Sequence, residues 1–203
     1  MPYSAGHRSA TRRKIVDSAR RLFNRHGFDN VSLDRIMSGA GLTRGGFYTY
    51  FESKSDLYVE VLTCFFTDPD WKNNWEGVEV DPALGRIGPQ VVQAYLSRQH
   101  FADVENSCPM VALPTDVTRS GASAKQAFET VFCAMTGMLE RDLKGSHKAR
   151  HTRAQGIAAL CVGGMVVARA MQNRAVADQL RDACMTVAIE MGGWSGKTKR
   201  LAR

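Results

Sequence analysis

A chain of 203 residues with 44% apolar and 23% charged residues is long enough for one or two packed domains and has the make-up of an ordinary globular protein. No apolar run reaches the roughly 18–20 residues of a membrane span, and the opening Met-Pro-Tyr-Ser-Ala-Gly-His-Arg lacks the apolar stretch of a secretory signal, so a cytoplasmic protein with no membrane partner is expected. The net charge of +7 is uneven: residues 1–54 hold ten Lys/Arg against four Asp/Glu, residues 55–193 thirteen against sixteen, and the last ten residues four against none. A basic head on a mildly acidic body suits a surface that faces phosphates.

In chain order, the first predicted helix runs over about 10–26, where Ile15, Ala19, Leu22 and Phe23 recur at helical spacing and arginines take the other faces. Gly27 stands where a left-handed cap ends a helix. Ser32 is placed to cap a second helix, about 33–39, which offers Ile36 and Ala40 to a core. Gly41 makes a turn, and Thr43 is placed to cap a third helix over about 44–50. Ser53, with Asp56 three residues on, has the form of a capping box and opens a fourth helix carrying Leu57, Val61, Leu62 and Phe65. A polar stretch with Trp71, Trp75 and Gly77, reaching Pro82, reads as a domain boundary. Helical patterns follow over about 83–100, 109–120, 122–143, 148–173 and 175–191, with a kink expected at Pro114. No segment alternates as a strand does, so the fold class is all-α.

Two short helices joined by a glycine turn, with a capped helix after them, form the layout of a helix-turn-helix, whose second helix enters the DNA major groove. In the third helix Phe47, Tyr50 and Phe51 fall on one face, expected to pack on Ile36, Leu22 and Phe23. The other face shows Arg44, Gly45, Tyr48 and Thr49, with Gly46 beside them. Adjacent glycines cost a helix about 1 kcal/mol each relative to alanine; their use is to let backbone approach a groove floor. Arg44 is a base-edge or phosphate donor. The hydroxyls of Thr43, Tyr48 and Thr49 suit phosphate oxygens, Lys54 adds charge at a helix start, and Ser32 and Arg35 would grip the flanking backbone.

These residues carry a family resemblance. Ala40-Gly-x-Thr-x-Gly-x-x-Tyr-x-Tyr-Phe-x-x-Lys54, together with Ala19, Leu22, Phe23, Gly27, Phe28, Ile36, Phe47 and Leu57, resembles the N-terminal domain of TetR-type (tetracycline-repressor-like) transcriptional regulators. The resemblance implies a three-helix DNA-binding domain, residues 1–66, followed by an effector-binding and dimerisation domain, residues 67–193. It implies a homodimer on a palindromic operator in double-stranded DNA, with repression relieved by a small molecule. Carried over by position, the contacting set is Thr43, Arg44, Gly45, Gly46, Tyr48, Thr49 and Lys54. Gly46 and Thr49 depart from the residues commoner in the family. Residues 194–203 read as a basic, disordered tail by composition.

The second half is looser in its likeness, through Ala94-Tyr-Leu-Ser97, Ser107-Cys-Pro-Met-Val-Ala-Leu113 and Asp116-Val-Thr-Arg119. Cys108 precedes Pro109 at a helix start, where the helix dipole favours a thiolate, and His100 is a possible neighbour. Two readings stay open: a sensor of electrophiles or oxidants, or a small helix-start residue. Phe128, Phe132, Met135 and Met138 form a stripe that suits either core or an apolar effector pocket. Ala158, Ala159, Gly163, Gly164 and Ala168 allow close helix approach, within one subunit or across a dimer through the last two long helices. The five cysteines lie far apart, with no Cys-x-x-Cys pair, so neither a metal site nor a disulfide scaffold is expected. No catalytic residue and no cofactor are expected. The alternatives are a constitutive DNA binder without an effector and, less in keeping with the sequence, an enzyme using Cys108 and His100.

Overall fold

The computed structural model describes residues 5–67, 80, 81, 83 and 85–194. Helices α1 (Ala5–His26), α2 (Leu33–Gly39) and α3 (Lys54–Thr67) surround a short 3₁₀ helix (Arg44–Thr49). They are followed by α4 (Ile87–Tyr95), α5 (Arg98–Ala102), α6 (Pro109–Ala112), α7 (Pro114–Arg119), α8 (Ala122–Glu140), α9 (His147–Arg169) and α10 (Arg174–Gly192). No strand occurs among the described residues. The expected polar boundary around Trp71 and Trp75, and the tail from residue 195, lie outside the described residues.

The local signals act as the sequence suggests at four places. Gly27 takes φ 78° and closes α1 with its N–H on the Phe23 carbonyl at 2.8 Å. Ser32 accepts from the Arg35 N–H at the start of α2. Gly41, at φ 73°, turns the chain toward the 3₁₀ helix, and Ser53 accepts from the Asp56 N–H at 3.1 Å ahead of α3.

Other expectations need correcting. The third helix is 3₁₀ rather than α and stops at Thr49; two glycines in six residues weaken an α-helical ladder, and buried Phe47 and Phe51 decide the geometry instead. Thr43 stands at the cap position, but its hydroxyl makes no cap hydrogen bond. The stretch 109–120 is two helices, because Pro114 has no N–H to continue the first and starts a second. The pattern over 83–100 breaks at Leu96, where the Ser97 hydroxyl accepts from the His100 N–H at 3.1 Å.

The chain divides into two compact units, Met1–Asn74 with Asp103–Val131, and Trp75–Ala102 with Phe132–Arg203. This differs from a single cut at residue 66. In the first unit Ile15, Phe23, Ile36, Met37, Phe47, Leu57, Tyr58, Val61 and Leu62 form one core that also takes Leu113, Val117, Ala124 and Ala127. The returning segment is held by polar contacts as well. Asp116 accepts the Phe28 N–H at 2.9 Å, and the Asn24 amide donates to the Glu105 and Ser107 carbonyls at 3.0 and 2.9 Å.

In the second unit α9 and α10 pack along their length, with α4 against both. The small-residue stripe separates in two. Ala158, Gly164 and Ala168 are buried; a Cβ on Gly164 would stand 2.7 Å from the Cys184 sulfur, so this glycine lets α10 approach. Ala159 and Gly163 are exposed, and a Cβ on Gly163 would meet nothing within 4 Å. Arg181 is 2% exposed; it donates to the Leu96 carbonyl at 2.6 Å, pairs with Asp178 and lies over the Phe101 ring at 4.9 Å. Trp194, assigned by composition to the tail, is buried, and its indole N–H donates to the Asp142 carbonyl at 3.3 Å.

Candidate nucleic-acid interface

The 3₁₀ helix presents two unlike faces. Phe47 is fully buried and Phe51 nearly so, their rings stacked 5.6 Å apart. Tyr48, between them in sequence, is 65% exposed, the one large aromatic side chain so open among the described residues. Thr43, Arg44, Gly45 and Thr49 are exposed with it, and Gly46 is half-buried. A Cβ on Gly45 would meet nothing within 4 Å, and on Gly46 only the Met37 methyl at 3.8 Å. Neither glycine takes a left-handed φ. Packing within this chain therefore does not require a glycine at position 45 or 46.

Two arginines on the same face of α1 steady this element from behind. Arg8 donates to the Thr49 carbonyl at 3.1 Å. Arg12, one turn on, donates to the Tyr50 carbonyl, pairs with Glu60 at 2.5 Å and lies over the Phe51 ring at 4.1 Å. The last carbonyls of the 3₁₀ helix thus have donors, and its orientation on the core is set. Sequence reasoning missed this pair. The available signal was the i, i+4 spacing of Arg8 and Arg12 opposite the apolar face.

The remaining predicted residues are not all free to reach a ligand. Arg44 pairs through Nη1 with Asp34 Oδ2 at 3.0 Å, both side chains about 60% exposed (62% and 59%). The Ser32 hydroxyl serves as the α2 cap. The Arg35 guanidinium lies 3.2 Å from His26 Nε2. Lys54 is turned inward: its ammonium donates to the Phe28 carbonyl at 2.5 Å and stands 4.2 Å from the Phe28 ring centre. Burial lowers its pKa, partly offset by Asp29. In this conformation Lys54 fastens the α1–α2 loop to α3. Beside the exposed set, a cleft of about 820 Å³ runs along α1 and α2, with Arg21, Arg25, His26 and Arg35 on its walls against Asp34 and Glu105.

The residues suggested for an effector are dispersed. Cys108 is 1% exposed and belongs to the first unit, whereas His100, also buried, belongs to the second and has Nδ1 2.6 Å from the Tyr95 carbonyl oxygen. Phe128 packs against the core of the first unit; Phe132 is half-buried and Met135 buried in the second. Among the described residues, no group of three or more His, Cys, Asp or Glu is placed to hold a metal. No described helix is long and apolar enough to cross a membrane.

A buried aromatic face, an open face of arginine, glycine and hydroxyls, and a glycine turn ahead of them define the helix-turn-helix class of DNA-binding proteins. Residues 15–61 match the family described as bacterial regulatory proteins, tetR family, so this segment is similar to the N-terminal part of TetR-type regulators. The segment is 47% identical over 51 residues to the HTH-type transcriptional regulator AcrR of Shigella flexneri, covering 25% of this chain and 24% of that protein. It is 34% identical over 61 residues to the biofilm operon icaADBC negative transcriptional regulator IcaR of Staphylococcus aureus, covering 30% and 31%. The chain thus spans about a quarter to a third of the length of these curated relatives. Over the whole fold it is similar to the reduced form of Escherichia coli NemR, with a TM-score of 0.68 and 17% identity, covering 89% of this chain and 96% of that one. A TetR-family regulator from Agrobacterium tumefaciens gives 0.64 at 18% identity, covering 89% and 98%.

Proposed function

We propose that this protein is a homodimeric transcriptional repressor that reads a palindromic operator and is released by a small apolar or electrophilic effector. The observation that carries the reading is the exposed face of Thr43, Arg44, Gly45, Tyr48 and Thr49 on a buried aromatic base, with open space over Gly45 and only the Met37 methyl, at 3.8 Å, near a Cβ on Gly46. Arg44 supplies the base-edge donor, and Tyr48, Thr43 and Thr49 supply hydroxyls to phosphates. Arg21, Arg25 and Arg35 give the adjoining cleft the charge to follow the backbone. Selection of bound sites from random duplexes tests it. Recovery of two half-sites about one helical turn apart supports the reading; failure to bind any duplex at low ionic strength defeats it.

The partner for dimerisation is a second copy, through α9 and α10. Val167, Val176 and Val187 are 49%, 44% and 46% exposed there, beside exposed Ala159 and Gly163. Gly163→Glu is expected to keep full helicity, since residue 163 is exposed and a Cβ there meets nothing within 4 Å in its own subunit. It should sediment as a monomer and bind operator about a hundredfold more weakly, the loss that follows when two linked half-sites become one. A dimer of unchanged affinity would place the interface elsewhere.

Two proteins of similar fold, SmeT with triclosan and RolR with resorcinol, were solved as complexes, at 19% and 18% identity to this chain. For this chain an apolar or electrophilic effector is a proposal supported by its Met- and Phe-bearing helix α8. The buried position of Cys108 at the start of α6 favours its role as a packed helix-start residue. Action on cytoplasmic DNA is part of the same proposal.

A further inference from the structure

We propose that Asp34 is a specificity-determining residue of the duplex-facing surface, a positioning residue that holds Arg44 ready to read a guanine edge; this rests on the DNA-binding reading above. Asp34 stands in the first turn of α2, directly behind the 3₁₀ helix, and its Oδ2 accepts from Arg44 Nη1 at 3.0 Å. The carboxylate is 59% exposed, on a surface that also carries Arg21, Arg35, His26 and the Arg25–Glu105 pair. A negative charge in that place repels every duplex alike, so it works against affinity. Its return is geometric. With Nη1 tied to Asp34, the Nη2 and Nε edge of the guanidinium keeps its two donors for the paired acceptors O6 and N7 of guanine. An unrestrained arginine in the same place would swing to the nearest phosphate as readily as to a base. The cap of α2 does not depend on Asp34, because the Ser32 hydroxyl already takes the Arg35 N–H.

The test uses the full chain, Asp34→Asn, Arg44→Ala and the double variant. Each is titrated by fluorescence anisotropy, at several salt concentrations, against a duplex selected by the parent and a scrambled duplex. Asp34→Asn is expected to bind the scrambled duplex about threefold more tightly at low salt, one repulsive charge having gone. Its ratio of selected to scrambled affinity is expected to fall about tenfold. In the Arg44→Ala background the same substitution should leave that ratio unchanged, since the residue it positions is absent. The proposal is overturned if Asp34→Asn weakens both duplexes equally, which is what lost stability alone would do. It is also overturned if the ratio falls as far without Arg44 as with it, which would make Asp34 a direct reader. A parent that binds no duplex overturns the DNA-binding reading itself, an outcome distinct from both.

Discussion

Phe47→Ala is expected to destabilise the first compact unit by about 3–5 kcal/mol, while Tyr48→Ala, one residue on, shifts stability by no more than about 0.5 kcal/mol. Phe47 is fully buried; its ring stacks with Phe51 and belongs to the same core as Ile36 and Met37. Truncation removes a large buried surface and leaves a cavity that the rigid aromatic neighbours cannot fill. Tyr48 is 65% exposed and touches Phe47 only edge-on, with ring centres 5.3 Å apart. Its loss should appear in binding instead, as operator affinity weaker by about 1–3 kcal/mol. Urea unfolding followed by circular dichroism, with anisotropy titrations on a selected operator, separates the two effects. If Tyr48→Ala unfolds as early as Phe47→Ala, the inner and outer faces of the 3₁₀ helix have been exchanged.

The second large effect is expected at Arg181. Arg181→Ala should cost the second unit about 2–5 kcal/mol, the range for emptying a large buried site. Three things go together: the hydrogen bond to the Leu96 carbonyl, the cation over Phe101, and the partner of Asp178. The Leu96 carbonyl would be left buried without its charged donor. The hydrogen bond from Arg181, with Arg98 adding attraction and burial opposing, holds the Asp178 carboxyl below its ordinary range. A carboxyl depressed in the folded state adds stability above its unfolded value of about 3.9, and that stability is lost as pH falls through the folded value. The parent should therefore lose stability on acidification in this range more steeply than Arg181→Ala. Thermal melts of both proteins between neutral and acid pH check this, and parallel curves would remove Asp178 from the account.

Much of the fold was legible because its signals are local. Gly27, Ser32, Gly41 and Ser53 each fix a helix end by a requirement of their own backbone or side chain, and each does so in the structure. The all-helical class followed from periodicity. What escaped depends on partners distant in sequence. That Asp116 takes the Phe28 N–H, and that Asn24 reaches two carbonyls beyond residue 104, is invisible to any window of local spacing. The 3₁₀ form of Arg44–Thr49 reflects the core beneath it, which overrides helical spacing.

The candidate site was legible as a set of residue types and less so as a set of roles. Arg44, Gly45 and Tyr48 are exposed, with Gly46 half-buried beside them. Lys54 has the same formal charge as Arg44 but is drawn inward by a carbonyl and two aromatic rings, 4.2 and 5.8 Å from its ammonium. Asp34, with no place in the motif, became visible only when the fold set it against Arg44. Charge alone does not tell a cation that meets solvent from one that locks a loop; the neighbours do.

The core around Phe23 and Tyr58 is completed by Leu113, Val117, Ala124 and Ala127, which the ribosome delivers only after the intervening stretch has been made. Synthesis of the opening seventy or so residues thus leaves a half-closed hydrophobic surface in wait. An excised head ending at residue 66 would keep that surface open to water, with Asn24 and the Phe28 amide bereft of their acceptors. The unit that carries the 3₁₀ helix is compact in space but not continuous along the polypeptide, and the shortest self-sufficient fragment should extend through the first half of α8.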